Sequence, residues 1–378
     1  MSDLVHPRFA AVGEAFRRFL DEEPSFSAQL CIRWRGETVI DLAGGAALTP
    51  DALTGVYSIS KGLSAIVIAG LLEDGLLELD AAVAEYWPEF SAAGKQSITV
   101  RQLLSHQAGL PIFAGRVPAR EVFGDSSAAA ARLAAQAPLW RPGSAFGYHA
   151  LTIGTLVEEL VRRVTSRTLQ QVYAHTIREP RAIDAHLGLP ETLDERYVPV
   201  GELAPTPEQA AEIAARPPRD ALAETVFDNL DAATGLGEDG TSANNPLVRR
   251  SGQGAIGAVA SARGLAGLYA HTLASSDAPI ASPAVFAAMA QQQSWGTDRV
   301  LGGENAFGVL FMVPQPRLPF GGIGAYGHDG AGGALAFADP ETQLAFGYIP
   351  HPMQYPGGAD HRALALARAA RACALELD

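Results

Sequence analysis

Strand-like segments stand near both ends of this 378-residue chain, and the residues between them read mainly as helices and loops. The strand-like segments are apolar runs bounded by turn-forming or charged residues, at 27–34, 37–42, 307–313, 334–338 and 344–349. Helical periodicity predicts helices at about 8–21, 150–164 and 361–375. Strands from both chain ends pair most simply within one sheet. We therefore predict an α+β fold, in which an antiparallel sheet flanked by helices (residues 1–81 and 271–378) carries an inserted, mainly helical subdomain (residues 82–270).

A serine and a lysine three residues apart form the strongest chemical signal. Lys61 is one of only two lysines among 28 basic residues, and it follows Ser58 at the start of an apolar run with helical spacing that ends at Gly75. Residues three apart share a helix face, so Lys61 can reach Ser58 Oγ and activate it as a nucleophile. The alternative is a serine that caps the helix, with a solvated lysine on the next turn.

Four segments give the chain a resemblance to a known superfamily. They are residues 57–61 (YSISK), 98–111 (ITVRQLLSHQAGLP), 142–148 (PGSAFGY) and 327–333 (GHDGAGG). The chain resembles the serine β-lactamase and penicillin-binding-protein superfamily, and within it the class C-like esterases known as family VIII carboxylesterases. The segments occur in the family's order and span most of the chain. The resemblance implies a β-lactamase-like fold and a serine hydrolase that works through an acyl-serine intermediate.

Taken residue by residue, the resemblance implies a complete site. Ser58 would be the nucleophile, Lys61 its base or electrostatic helper, and Tyr148 a second base. A phenol has an ordinary pKa near 10, so Tyr148 acts as a base at neutral pH only if nearby positive charge, for example on Lys61, stabilises the phenolate. Which of the two takes the serine proton stays open. The backbone N–H groups of Ser58 and Ala331 would form the oxyanion hole.

Two departures from the family pattern bear on the substrate. His328-Asp329-Gly330 stands where many members have K-T-G; His328 and Gly330 would orient the substrate, and the histidine need not be charged at pH 7. Ala150 stands where lactamases and peptidases place an asparagine that binds the substrate's amide side chain. We therefore expect short-chain carboxylic esters as substrates. A β-lactamase or D-amino acid peptidase-type amide hydrolase, an acyltransferase, and a non-catalytic binding protein remain alternatives.

Other ligands and partners find little support in the sequence. A net charge of −13 disfavours nucleic acid, and the scattered histidines and the lack of ligand-spacing motifs predict no metal site. Residues 322–327 match G-x-G-x-x-G, but they follow a proline-rich stretch and precede strand-like runs, so we expect no dinucleotide or other cofactor. The chain shows no signal-peptide core and no apolar run of membrane-spanning length, which predicts a cytoplasmic protein without membrane contact. The oligomeric state stays open.

A few residues receive weaker assignments. His106 is expected to be a turn or packing residue, and His149 is unassigned. Cys31 and Cys373 are expected to be buried free thiols. Two long irregular stretches, residues 115–127 and 222–250, are candidates for loops that shape the substrate pocket.

Overall fold

The computed structural model of the protein describes residues 3–216, 220–231 and 240–376. The strands are β1 (Leu4–Val5), β2 (Ser27–Trp34), β3 (Glu37–Gly44), β4 (Thr54–Tyr57), β5 (Val117–Pro118), β6 (Ala185–Leu187), β7 (Leu230–Asp231), β8 (Ala258–Ala260), β9 (Ser294–Thr297), β10 (Glu304–Phe307), β11 (Tyr326–Asp329), β12 (Leu335–Asp339) and β13 (Leu344–His351). The α-helices are α1 (Ala10–Glu22), α2 (Ile59–Glu73), α3 (Val83–Tyr86), α4 (Val100–Leu104), α5 (Ala119–Phe123), α6 (Ser127–Ala135), α7 (Thr152–Thr165), α8 (Leu169–Val172), α9 (Pro207–Ala215), α10 (Ala221–Phe227), α11 (Pro246–Ser251), α12 (Ala262–Ala270), α13 (Pro283–Ala290) and α14 (His361–Leu375). Short 3₁₀ segments cover Pro7–Phe9, Pro88–Gly94, Glu179–Arg181 and Glu191–Arg196, and a π-helical turn covers Tyr173–Arg178.

The main sheet joins the two ends of the chain. Its six antiparallel strands lie in the order β1-β3-β2-β13-β12-β11. The β2–β3 hairpin turns at Arg35 and Gly36, which both have positive φ (51° and 89°), as a two-residue hairpin turn with the twist of its strands requires. The predicted antiparallel sheet built from both termini is therefore confirmed.

Side chains of different size cover the two faces of this sheet. Large residues such as Leu30, Ile32 and Phe346 point toward α1 and α14 and form one apolar cluster with them. Smaller residues, including Cys31, face α12, which packs on β2 and β13. The approach is so close that a Cβ on Gly347 would lie 2.4 Å from the carbonyl oxygen of Ala262. The period-2 alternation of the strands thus decides which helices pack on which face.

Helix α2 carries the predicted nucleophile into the interior. Apolar residues surround its whole circumference, as expected for a helix buried on all sides. It packs against β11, β4 and β8 on one side and against α7 and α13 on the other. Its first turn therefore lies where the main sheet meets the mainly helical middle of the chain.

One predicted strand is wrong, and the sequence reasoning missed strand β11. The strand predicted at 307–313 is wrong: β10 ends at Phe307, and the chain then turns, with Gly308 N–H donating to Phe311 O and Leu310 at φ 60°. An apolar run in a buried turn has the same composition as a buried strand, so periodicity does not separate them. Strand β11 was not predicted, because Gly327 and Asp329 are poor strand formers. The glycine-rich stretch 322–327 leads into this strand and not into a helix.

The middle of the chain is mainly helical but is not separate from the sheet. A second, three-stranded sheet has the order β4-β8-β6, and α12, inside the predicted subdomain, packs on the main sheet. The division at 81/82 and 270/271 stays a prediction. The two stretches expected to be loops contain α5, α10, α11 and the parallel pair β5–β7, and residues 232–239 of the second stretch lie outside the described residues. Within the described residues, no helix has the length and apolarity to cross a bilayer.

Candidate active site

The residue before the predicted nucleophile, Tyr57, has a strained backbone conformation. Tyr57, at the end of β4, has φ 46°, a left-handed conformation that is costly for a bulky side chain. Ser60 supports this turn: its hydroxyl donates to Tyr57 O and accepts from the N–H of Ala258 in β8. Ser58, the next residue, is partly exposed, and its side chain makes no capping bond to the helix. The hydroxyl is therefore free for other partners.

Two predicted side chains, those of Lys61 and Tyr148, converge on this hydroxyl. The Tyr148 hydroxyl donates to Ser58 Oγ across 2.9 Å, and Lys61 Nζ lies 3.2 Å from the same oxygen. Tyr148 comes from the loop before α7 and is held from two directions. Its backbone N–H donates to Asp298 Oδ1, and its ring stacks on Phe307 with centroids 5.8 Å apart. The tyrosine, about 90 residues away along the chain, thus reaches the same oxygen as the local lysine.

Lys61 is buried, which excludes the alternative of a solvated lysine beside a helix cap. Its side chain is 0 % exposed, and Nζ donates to Ala255 O across 3.0 Å and lies 4.7 Å from the centre of the Tyr148 ring. Burial lowers the pKa of Lys61 well below its ordinary 10.5, and the charge of Asp329 opposes this only in part. The neutral amine is favoured in this environment. A neutral amine has a lone pair that can accept the proton of Ser58.

Burial shifts the pKa of Tyr148 in the opposite direction. It raises the pKa of the phenol above its ordinary 10, and the hydrogen bond to Ser58 opposes that rise. The sequence suggested that positive charge on Lys61 stabilises a phenolate here. In the structure the amine beside Tyr148 is itself driven toward neutrality, so Tyr148 rests as a phenol that donates its hydrogen bond to Ser58.

The segment after β11 runs beside the nucleophile. Gly330 lies so close to β4 that a Cβ at this position would be 2.5 Å from Val56 O, two residues before Ser58. The contact places Ala331 next to the first turn of α2. Within the described part of the chain, neither the N–H of Ser58 nor that of Ala331 has an acceptor. Two free main-chain donors on adjacent segments are what an oxyanion hole requires.

His328 lies deeper than a substrate-contacting residue. Its side chain is 0 % exposed, and Nδ1 lies 2.7 Å from the carbonyl oxygen of Asp329. Burial lowers the pKa of His328 to about 4, so the ring is neutral at pH 7. Its ring centre is 6.2 Å from that of Tyr148. Its predicted role in orienting the substrate stays a prediction.

Several neighbours of the site carried no functional assignment from the sequence. The ring of His106 lies 5.1 Å from that of Tyr148, and the N–H of His149 donates to His106 Nδ1. His106 does occupy a turn, with φ 65°. Asp298 and Ala255, which position Tyr148 and Lys61, lie far away in sequence and in no recognisable motif.

Tyr148 belongs to a large cluster of buried apolar residues. Ala150 is buried in the same cluster as Phe146 and Val226. Partly buried residues of that cluster are Ile112 and Leu222. The alanine at position 150 has no amide group with which to replace the asparagine of the family pattern. Over residues 3–216, 220–231 and 240–376, no group of three or more His, Cys, Asp or Glu side chains is arranged to hold a metal ion.

Comparison with known proteins agrees with the geometry. The Beta-lactamase family model matches residues 12–371. The chain belongs to the β-lactamase family. It has the β-lactamase-like fold, an α+β architecture, as predicted. A solved structure of EstA from Arthrobacter nitroguajacolicus Rue61a is 42 % identical, covers 99 % of this chain and 98 % of its own, and superposes with a TM-score of 0.88.

Two further relatives of this β-lactamase-family chain have informative names. A family VIII carboxylesterase of known structure is 30 % identical, with 98 % of this chain and 99 % of its own covered and a TM-score of 0.83. The Esterase/beta-lactamase LipL of Mycobacterium tuberculosis (strain ATCC 25618 / H37Rv) is 29 % identical over 384 residues, which cover 93 % of this chain and 82 % of LipL. The resemblance to class C-like esterases is thus confirmed at the level of the family.

Proposed function

We propose that the protein is a carboxylesterase that cleaves short-chain carboxylic esters through an acyl-serine intermediate. The observation that carries the proposal is the convergence of Lys61 Nζ and the Tyr148 hydroxyl on Ser58 Oγ, at 3.2 and 2.9 Å. A nucleophile with a base and a proton donor within hydrogen-bond reach is the arrangement needed for acyl transfer. The names of the family VIII carboxylesterase and of LipL support esters as the substrate class.

In the acylation step, the neutral amine of Lys61 accepts the proton of Ser58 as Oγ attacks the ester carbonyl. The new C–O bond moves the carbonyl electron pair onto oxygen, and the N–H groups of Ser58 and Ala331 stabilise that oxyanion. When the ester C–O bond breaks, the Tyr148 hydroxyl gives its proton to the departing alkoxide. Lys61 then returns the serine proton to Tyr148, which leaves an acyl-serine and a free alcohol.

Deacylation uses the same groups in the reverse sense. Water takes the place of the alcohol and attacks the acyl carbonyl; Tyr148 takes the proton that water loses while its own phenol proton passes to the neutral amine of Lys61. The oxyanion is held by the same two main-chain donors. Collapse of the tetrahedral intermediate breaks the bond to Ser58 Oγ, which regains its proton from Lys61, and releases the carboxylic acid.

The surroundings of the site favour esters over amides. Ala150 offers no hydrogen bond to an acylamino side chain, and His328 is neutral where a substrate carboxylate needs a cation. Amide hydrolysis of the β-lactamase type is a second candidate, because LipL carries both activities in its name. Small-molecule esters are the proposed ligands, and a cytoplasmic location stays a prediction.

Replacing the nucleophile tests the proposal. Ser58→Ala should abolish turnover of p-nitrophenyl acetate and butyrate, whereas Ser91→Ala, the same change at an exposed serine, should leave it unaltered. Burst kinetics with the wild type should titrate one acyl group per chain. Unchanged ester turnover in Ser58→Ala would falsify the assignment. A chromogenic cephalosporin that is hydrolysed faster than every ester would favour the second candidate.

A further inference from the structure

Hydrogen bonds to the backbone fix the tautomers of three buried histidines near Tyr148. His149 Nδ1 lies 2.6 Å from the carbonyl oxygen of Gly147, and His149 Nε2 accepts the N–H of Leu110. The N–H of His149 in turn donates to His106 Nδ1. Because His106 Nδ1 accepts a hydrogen bond, the proton of the neutral His106 ring sits on Nε2.

The same reasoning gives His328 the opposite tautomer. A carbonyl oxygen only accepts, so the short contact with Asp329 O requires the proton on His328 Nδ1. Nε2 of His328 is then an acceptor. Burial lowers the pKa of both His106 and His328, so both rings are neutral at pH 7.

These assignments leave one donor and one acceptor without partners. His106 Nε2 and His328 Nε2 are both buried, and neither has a hydrogen-bond partner among the described residues. Both rings lie beside Tyr148, at 5.1 and 6.2 Å between centroids, and a charge on His328 would lower the pKa of His106. An unpaired buried polar atom is costly, so a buried donor and a buried acceptor beside the same tyrosine ring call for a bridging group.

We propose that one buried water accepts a hydrogen bond from His106 Nε2–H and donates one to His328 Nε2, so that the loop carrying Tyr148 is tied to strand β11. The bonded chain would run from Gly147 through His149, His106 and the water to His328. It would join the segment that presents the phenol to the segment that presents Ala331. This gives His106, which sequence analysis left as a packing residue, and His328 a positioning role, and its catalytic consequence rests on the proposed function.

A competing partner for His328 exists. Among the described residues, the hydroxyl of Tyr269 is also buried without a hydrogen-bond partner, and it lies near His328: a Cβ at Gly62 would be 2.2 Å from this hydroxyl and 3.8 Å from His328 Cβ. A water between Tyr269 and His328 would leave His106 unpaired and would not connect the Tyr148 loop to β11. The contact of both histidine rings with the Tyr148 ring, together with the electrostatic effect of His328 on His106, favours the bridge between the two histidines.

The wild-type protein gives the direct test. A high-resolution crystal structure should show a water within about 3.2 Å of both Nε2 atoms. Two-bond ¹H–¹⁵N spectra at pH 7 should show the proton on Nε2 of His106 and on Nδ1 of His328. A water that contacts His328 and Tyr269 only, a direct contact between the two imidazoles, or the reverse tautomers would overturn the proposal. None of these observations depends on ester turnover, so they remain decisive even if Ser58 is not the nucleophile.

A matched pair of variants tests the positioning role. His328→Gln places an amide near the position of Nε2 and keeps an acceptor for the water, but it loses the bond to Asp329 O. His328→Asn keeps a donor for Asp329 O and loses the acceptor. We expect His328→Gln to keep the water and most of kcat, and His328→Asn to lose the water and about tenfold or more in kcat at similar KM.

A merely structural histidine, needed only for its bond to Asp329 O, predicts the reverse order of the two variants. That order, or equal kcat values in both, would contradict the proposal. If neither variant folds, the crystal structure and the spectra of the wild type still decide it.

Discussion

Replacing Lys61 by methionine tests whether the amine that faces Ser58 is neutral. Lys61 is fully buried, and burial lowers its pKa well below 10.5. Between the lowered pKa and 10.5, the unfolded chain binds a proton on this lysine and the native state does not. The free energy of unfolding of the wild type therefore rises with pH in this window, by up to about 1.4 kcal/mol per pH unit, and its stability is lost as pH falls. Methionine has similar length and no proton to bind.

The quantity to measure is the difference in unfolding free energy between Lys61→Met and the wild type, from urea denaturation at pH 7, 8 and 9. If Lys61 is neutral throughout this range, the advantage of the variant shrinks by about 2.7 kcal/mol from pH 7 to pH 9. The variant also leaves Ala255 O without its donor, at a cost of about 1–3 kcal/mol. That cost does not depend on pH, so it shifts the difference in unfolding free energy by the same amount at every pH and leaves its slope against pH unchanged.

The second lysine provides the control. Lys95 Nζ donates to three carbonyl oxygens, those of Ala92, Ala134 and Gln136, and burial lowers its pKa without moving it far below 10.5. We expect Lys95→Met to be destabilised at every pH, with a weaker dependence between pH 7 and 9. Parallel stability curves for Lys61→Met and the wild type would show a native ammonium at position 61. The assignment of Lys61 as the base would then be refuted.

Three further outcomes follow from the site and its supports. Tyr148→Phe keeps the ring but removes the proton donor, so kcat should fall about 10²–10⁴-fold. The loss should be larger for an ethyl ester than for a p-nitrophenyl ester, because the p-nitrophenolate leaving group needs little protonation. Equal losses for the two esters would contradict the donor role. Gly330→Ala puts a Cβ 2.5 Å from Val56 O and should lower both kcat and the melting temperature. In the control Gly332→Ala the nearest atom to the new Cβ is 3.4 Å away, so this variant should resemble the wild type. Similar kinetics of the two variants would refute the close approach. Burial raises the pKa of Glu158 from 4.5 to about 7, so the native state holds this proton more tightly than the unfolded chain does. As pH rises across that window, the wild type should therefore lose stability relative to Glu158→Gln, by up to about 1.4 kcal/mol per pH unit. A difference in melting temperature between the two proteins that stays constant at pH 4.5, 6 and 7.5 would disprove it.

Local signals in the sequence were enough for part of the site. Ser58 and Lys61 are three residues apart, so their contact depends only on the helix that joins them. Tyr148 was assigned through the resemblance, since nothing near it in sequence points to a serine about 90 residues away. The four central strands of the main sheet, β3, β2, β13 and β12, and the two terminal helices were also predictable, because their apolar periodicity reports directly on which face is buried.

Tertiary contacts decided the remainder. Strand β11 contains Gly327 and Asp329, and its pairing with β12, not its own composition, makes it a strand. Asp298 holds the backbone of Tyr148 from about 150 residues away, and no pattern in the sequence marks that pairing. The protonation states of the site residues could not be predicted from the sequence for the same reason. The pKa values of Lys61 and Tyr148 are set by burial, which exists only once the chain has folded.

The histidine at position 328 fits an amine that has to stay neutral. A charge on Lys61 would lower the pKa of His328, and protonation of either group makes protonation of the other more costly in a buried space. A lysine at position 328 would add a buried ammonium group that needs an anion, such as a substrate carboxylate, to compensate it. With a neutral imidazole there, no such anion is required. A chain with a net charge of −13 would also repel an anionic substrate at long range, so the local and the global electrostatics both suit an uncharged ester.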